Sequence, residues 1–499
     1  MKGLLDQLKR ALSPDGDLTS RTVVGGLWVA FTNGGNRVLQ LAMLVVLARL
    51  LSPADFGLFG IALLALSALK RFSQLGIDQA LIQQPEENVD SYLDTAFTLQ
   101  VLRGLLIVGV AFLSAPLVAD FFGEPRATLL LRVVALATLF QVVYNPGTVY
   151  FQKDLNFHKQ FAFTVSGTIT RVVVSIGYAL IDPTVWALVA GLVAGNCVQM
   201  LVSYLIHDYR PWPGFDRQQA GELVSYGKWI LGSGVVNFLF SEGDDAFVGR
   251  VLSTGALGIY QLAYRLSNAP ATEIAQTVSK VVMPAYSKIQ GDTEALRQGF
   301  RRALRLSTLV SLPVGAGIVA VAPAFVPAFL GDGWSDMIVP MQLLTGFGLL
   351  RSIRSPTSPL FKALGRPDYV TKIQALRLAL LVVAIYPLTM AYGLPGTSLA
   401  VLLTSAVGAP IGAYLAVRMV DDDLRSFATI VAYPALGSLV MGICALAVRR
   451  SVAEVTGPLV AFTATVLAGV AVYALVMAAL ERRFEIGLRE LVGQVKQGF

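Results

Sequence analysis

Residues 48–60 read ARLLSPADFGLFG, and residues 249–261 read GRVLSTGALGIYQ. At an offset of 201, Arg49 meets Arg250, Leu51 meets Leu252, Ser52 meets Ser253, Gly57 meets Gly258 and Phe59 meets Tyr260. Upstream, Asn36 meets Asn237. Weaker echoes pair APLVADFFG (115–123) with APAFVPAFLG (322–331), and NPGTVYFQK (145–153) with SPTSPLFKA (355–363). Collinear matches over this length mark an internal duplication. Each copy of the first motif joins the end of one apolar run to the start of the next.

Those runs decide the class. Of 499 residues, 55% are hydrophobic and 14% charged, with a mean hydropathy of +0.64. A soluble chain carries roughly a quarter charged residues. Runs long enough to span a bilayer fall at about 27–51, 57–82, 95–119, 128–151, 161–181, 184–206 and 223–248. A second set follows at about 255–283, 304–330, 337–361, 370–391, 395–419, 427–448 and 457–480. The expectation is an all-α polytopic membrane protein of about 14 transmembrane helices. The offset covers an even number of runs, so both copies share one orientation and pack as a parallel repeat about a central cavity. The chain then divides into an amphipathic N-terminal segment (1–21), a six-helix lobe (22–206), a linker broken by Pro211 and Pro213 (207–222), a second six-helix lobe (223–419), two added helices (420–480) and a tail (481–499).

The net charge of +7 is topological rather than a nucleic-acid footprint. Lys and Arg collect in alternate connections: Lys2, Lys9, Arg10 and Arg21; Lys153 and Lys159; Arg210 and Arg217; Lys288, Arg297, Arg301, Arg302 and Arg305; Lys362, Arg366 and Lys372; Arg418 and Arg425; then Arg482, Arg483, Arg489 and Lys496. The positive-inside rule places these connections, and both termini, in the cytoplasm.

Several runs carry a polar face. Ser67, Arg71, Gln74 and Asp78 recur at helical spacing in the second, and Arg265, Asn268, Glu273, Gln276 and Lys280 in the eighth. Asn33, Asn36, Arg37 and Gln40 mark the first; Asn237, Ser241, Asp244 and Asp245 mark the seventh. A charge at the bilayer centre costs at least about 2.5–3.5 kcal/mol, so such faces meet a wet cavity or each other. At about 1.5 Å of rise per residue, Arg37 lies roughly 18 Å from the Arg49 end, Arg71 roughly 22 Å from Phe56, and Arg103 about 15 Å into the third run. Lys70 adjoins them, with Arg132 and Arg171 as further members, and Arg265 stands in the second lobe. Paired guanidinium hydrogen bonds suit an anionic substrate group; internal ion pairing, for example Arg37 with Asp78, is the other reading. Asp245 is a candidate coupling-ion site or a salt-bridge partner of Arg265 or Arg250. The turns holding Ser52, Ala54 and Gly57, and Ser253, Gly255 and Gly258, are candidates for an outer gate.

A catalytic site cannot be assembled. His158 and His207 fall at helix ends and are expected at the surface. GELVSYGKW (221–229) has five residues between its glycines and Trp229 where a phosphate loop needs Ser or Thr, so ATP is not expected. Cys197 and Cys444 lie inside apolar runs and suggest neither a disulfide nor a metal site. No cofactor is expected.

The run ARLLSPADFGLFGIALLALSALKRFSQLGIDQALIQQ (48–84) resembles the start of Wzx-type oligosaccharide-lipid flippases, in the polysaccharide-transport branch of the multidrug/oligosaccharidyl-lipid/polysaccharide superfamily. DDAFVGRVLSTGALGIYQLAYRL (244–266) is similar to that family's segment in the second lobe, and the likeness extends toward colanic-acid-like exopolysaccharide exporters. The resemblance implies a non-enzymatic bacterial inner-membrane flippase. It would carry undecaprenyl-pyrophosphate-linked oligosaccharide by alternating access through a cationic cavity, with membrane lipids, polysaccharide polymerase and chain-length machinery as partners. Arg37, Arg71 and Arg103 fit such a cavity. The alternatives are a multidrug/cation antiporter of the same superfamily, which would favour an acid-rich first lobe, a lipid II flippase, and a membrane-embedded glycan polymerase or ligase.

Overall fold

The computed structural model describes residues 18–73, 89–153, 156–219, 238–239, 241–453 and 457–484. These are almost wholly helical, with no strand among the described residues. Two compact units, Met1–Gly258 and Ile259–Phe499, divide the chain. The expectations read from the sequence for 1–17, for 74–88 with Gln74 and Asp78, for 220–237 with Asn237, and for 485–499 lie outside the described residues.

The first unit contains α1 (Leu18–Leu50), α2 (Pro53–Phe72), α3 (Val89–Phe122), α4 (Ala127–Val142), the short α5 (Val149–Lys153), α6 (Phe157–Ile181) and α7 (Trp186–Ile206). A further helical stretch covers 241–251. α6 packs on α1 and α7, α4 on α2, α3 and α7. Leu47, Leu51, Ala179, Ala187 and Leu188 form a core between α1, α6 and α7.

Helix α8 (Thr254–Lys288) starts in the first unit and runs into the second, followed by α9 (Thr293–Phe325), α10 (Ile338–Ile353), α11 (Thr357–Ala363), α12 (Pro367–Tyr392), α13 (Leu394–Met419), α14 (Leu424–Ala453) and α15 (Pro458–Phe484). Within the second unit α9 packs on α10, α14 and α15, and α13 on α10 and α12. The helix pairings α3–α4, α4–α7 and α6–α7 thus have counterparts in α9–α10, α10–α13 and α12–α13, as a duplicated sequence requires. Positive φ at Gly123 (66°), Gly365 (69°) and Gly393 (62°) lets the chain turn sharply after α3, α11 and α12.

Among the described residues nine helices are long and apolar enough to cross a membrane. α4 is shorter, and α8 is diluted by its polar stripe. The outward surface is apolar: Leu113 is 82% exposed, Ile181 88% and Val383 74%. Water would not tolerate an apolar surface of this extent on a monomer; lipid does.

The repeated turns show why their sequence recurs. Ser52 caps α2: its Oγ accepts from Asp55 N (3.3 Å), while Asp55 Oδ2 accepts from Ser52 N (3.1 Å). Ser253 Oγ accepts from Ala256 N (3.0 Å) at the start of α8. Each cap contributes about 1 kcal/mol. Gly57 and Gly258 then permit backbone-to-backbone contact. A Cβ on Gly57 would lie 1.7 Å from the Thr254 carbonyl oxygen, and one on Gly258 would lie 2.1 Å from that of Pro53. The two turns touch reciprocally.

The connection after α7 is strapped down. Asp94 Oδ1 on α3 accepts from Tyr209 Oη (2.5 Å) and Trp212 N (3.0 Å), and Thr98 Oγ1 accepts from Gly214 N (3.1 Å). His207, expected at the surface, is half-buried instead. Its ring stacks on Tyr150 at 5.9 Å, and its Nδ1 accepts from Tyr209 N (3.1 Å). Bonds to a charged acceptor contribute about 1.5–3 kcal/mol. Asp94→Ala should therefore lower thermal stability by about that amount, read by unfolding of the purified protein. Unchanged stability would show the strap to be incidental.

Candidate functional site

The first unit gathers cations on three helices. Lys70, at the end of α2, donates from Nζ to Gln141 Oε1 on α4 (2.6 Å). Gln141 Nε2 donates to Asn196 Oδ1 on α7 (3.3 Å), and Arg171 Nη2 on α6 donates to the same oxygen (3.3 Å). Asn196, buried at 2% exposure, is fixed by donating to the Ala137 carbonyl (3.1 Å). Arg103 on α3 donates to the Lys70 carbonyl (2.8 Å) and to Ser73 Oγ (3.2 Å). Arg103 and Arg171 both stand close enough to Lys70 to repel its ammonium.

Glycines allow this assembly. A Cβ on Gly195 would meet Arg171 Cβ at 3.1 Å, and one on Gly191 would meet Ser175 Oγ at 1.8 Å, so α7 receives α6 closely. Among the described residues, Lys70 and Arg171 have no carboxylate partner: their side chains bond Gln141 and Asn196. The buried Arg171 Nε has no hydrogen-bond partner there either. Such a network can hold an anion, because fixed neutral amides orient the cations without neutralising them.

Of the residues picked from the sequence, Lys70 and Arg103 are brought together, with Arg171. Arg71 is half-buried and leaves α2 about 100° round from Lys70. Arg37 and Arg265 are exposed; Arg132 lies over the Phe112 ring at 5.7 Å. In 241–251, Asp244 is 7% exposed and Asp245 half-buried. Sequence reasoning missed Gln141, Asn196 and, in the second unit, Arg351, Arg354 and Arg377. The duplication could have found the last: Arg171 and Arg377 are 206 apart, near the repeat offset.

The second unit also has an apolar crevice of about 680 Å³, lined by Leu309, Pro313, Met441, Phe462, Val466 and Tyr473 among others. Tyr473 Oη satisfies itself on the Leu309 carbonyl (2.9 Å), leaving the walls apolar.

The structure is a helical bundle with an apolar outer surface and, in its first unit, cations held inside by neutral partners. Residues 46–339 match the polysaccharide biosynthesis protein family, and the chain belongs to it. It is 27% identical to the lipopolysaccharide biosynthesis protein WzxC of Escherichia coli (strain K12), over 84% of this chain and 83% of that protein. It is 24% identical to the teichuronic acid biosynthesis protein TuaB of Bacillus subtilis (strain 168), over 87% and 90%. The fold matches a structure of the lipid II flippase MurJ with a TM-score of 0.72 at 17% identity, covering 92% of this chain and 99% of that one. The chain is thus a polysaccharide biosynthesis protein family member with a MurJ-like fold.

Proposed function

We propose that this protein is a non-enzymatic flippase of the multidrug/oligosaccharidyl-lipid/polysaccharide superfamily, which moves undecaprenyl-pyrophosphate-linked oligosaccharide repeat units from the inner to the outer leaflet of a bacterial inner membrane by alternating access. The units would feed extracellular polysaccharide or lipopolysaccharide synthesis, by handover to a polymerase and its chain-length machinery. The observation that carries this reading is the Lys70–Arg171 pair, held by Gln141 and Asn196 with no carboxylate partner among the described residues. Two adjacent cations answer the charge of a pyrophosphate, and guanidinium grips phosphate oxygens in pairs. In the first unit Arg37 and Arg71 extend the proposed cationic path, and Arg103 holds the end of α2 beside it; Arg265 is the proposed cation of the second lobe. The apolar walls of the crevice match the chemistry of a hydrocarbon carrier chain.

In this reading fourteen spans form two six-helix lobes and a C-terminal pair, with both termini cytoplasmic. Reporter fusions at Pro213 or after Phe499 should then be cytoplasmic, and fusions at Asp332 or Gly393 external. An external C-terminus would require an odd number of spans and would undo the scheme. Asp245 is the proposed coupling-cation site: Asp245→Asn should uncouple transport from the ion gradient while substrate still binds. Gradient dependence as in the unaltered protein would return Asp245 to a salt-bridge role.

The repeated turns are the proposed outer gate. A Cβ on Gly255 would stand 4.0 Å from Ala54 N, so a disulfide between these positions needs little movement. Ala54→Cys with Gly255→Cys, with Cys197 and Cys444 replaced, should cross-link under oxidation, stop export, and recover on reduction. Export by a fully cross-linked protein would rule out a gate here.

A further inference from the structure

A second group of cations lies within the Ile259–Phe499 unit. Arg351 sits near the end of α10, Arg354 caps it, and Arg377 belongs to α12. The Arg351 and Arg377 guanidinium carbons both lie 5.8 Å from the centre of one ring, Phe347. Arg377 is only 3% exposed, and its Nη2 donates to Ser405 Oγ on α13 (2.8 Å). Its stem occupies the space left by Gly408, where a Cβ would lie 2.6 Å from Arg377 Cδ. One turn on, a Cβ at Gly412 would meet Arg354 Cδ at 3.7 Å. Arg351 donates to Thr272 Oγ1 on α8, and its buried Nε has no hydrogen-bond partner among the described residues.

Three like charges within mutual reach are thus held by hydroxyls, an aromatic face and glycine-lined grooves. Neither Arg351 nor Arg354 has a carboxylate partner among the described residues. Cation–π contact offsets only part of the cost of drawing such charges from water. The arrangement also repeats a device of the first unit. Arg171 bonds Asn196 there as Arg377 bonds Ser405 here, and Lys70 bonds Gln141 as Thr272 receives Arg351. The offsets run from 202 to 210, close to the 201 of the turns.

We infer that Arg351, Arg354 and Arg377 form a second oxyanion site, belonging to the C-terminal unit, which takes a phosphate group or the carboxylate of an acidic sugar. Both ligands present the paired oxygens that a guanidinium fork matches. The site stands on its own residues and survives even if the Lys70–Arg171 cluster has another role.

The test is calorimetric titration of the full-length protein in nanodiscs with inorganic pyrophosphate, glucuronate and, as a neutral control, glucose, at constant ionic strength. The expected result is binding of pyrophosphate or glucuronate but not glucose, weakened about tenfold or more in Arg354→Gln and persisting in a Lys70→Gln/Arg171→Gln double variant. A response to pyrophosphate alone assigns phosphate; one to glucuronate alone assigns the carboxylate. Arg354→Lys, which keeps the charge and loses the fork, serves if Arg354→Gln is not recovered, and should weaken binding several-fold. Absence of binding, affinity unaltered in both Arg354 variants, or binding abolished by the Lys70/Arg171 change would overturn the site.

Discussion

Lys70→Gln with Arg171→Gln should cut polymer export by ten- to a hundredfold or more while the protein stays in the membrane at near-normal abundance. Each cation offers a charge-assisted bond of about 1.5–3 kcal/mol to an anionic group, and 1.4 kcal/mol is a factor of ten. Both side chains are held by neutral amides, Gln141 and Asn196. Removing the charges therefore strands no buried carboxylate among the described residues, and the fold should tolerate it. Arg171→Lys should rescue in part, because an ammonium lacks the fork. Export at the unaltered level would end the anion-site reading. Arg103→Ala should behave differently: its guanidinium already serves the Lys70 carbonyl and Ser73, so abundance and stability should fall along with export.

The second large effect belongs to the turns. Gly57→Val or Gly258→Val puts side-chain atoms where the Thr254 and Pro53 carbonyls now stand, at 1.7 and 2.1 Å from the added Cβ. Neither carbonyl can swing away without shifting its helix. Overpacking of this kind costs about 1–3 kcal/mol, and if the turns are the proposed gate it falls only on states in which they meet. A two-state equilibrium displaced by that amount moves roughly five- to a hundredfold. Export should drop accordingly, and cross-linking between positions 54 and 255 should slow in parallel. Normal export with a valine at both glycines would mean that the turns need not meet during transport.

The fold was legible where chemistry repeats. Ser52 and Ser253 cap helices, and Gly57 and Gly258 permit one close backbone approach. A sequence shows these as the same letters in the same order. For the site, the sequence speaks to depth and not to rotation. Counting residues at the helical rise assigns Arg37, Arg71 and Arg103 an expected depth, yet it does not say which way each points. Lys70 faces Gln141, while Arg37 and Arg265 are exposed. Asn196 and Gln141 escaped notice because a single amide in an apolar run has no spacing to betray it. Arg351 and Arg354 escaped because α10 echoes α4 only weakly, Gln141 standing where Arg351 does in the copy.

The most direct test of leaflet transfer is reconstitution. Purified protein in sealed proteoliposomes should carry a lipid-linked oligosaccharide between leaflets, read as loss of protection from an external glycosidase or periodate. Transfer should be abolished by the Ala54–Gly255 disulfide, restored by reduction, and slowed at least tenfold by Lys70→Gln with Arg171→Gln. Oligosaccharide that stays protected with the unaltered protein under an imposed ion gradient, or that crosses equally fast with both cations removed, would contradict the proposal.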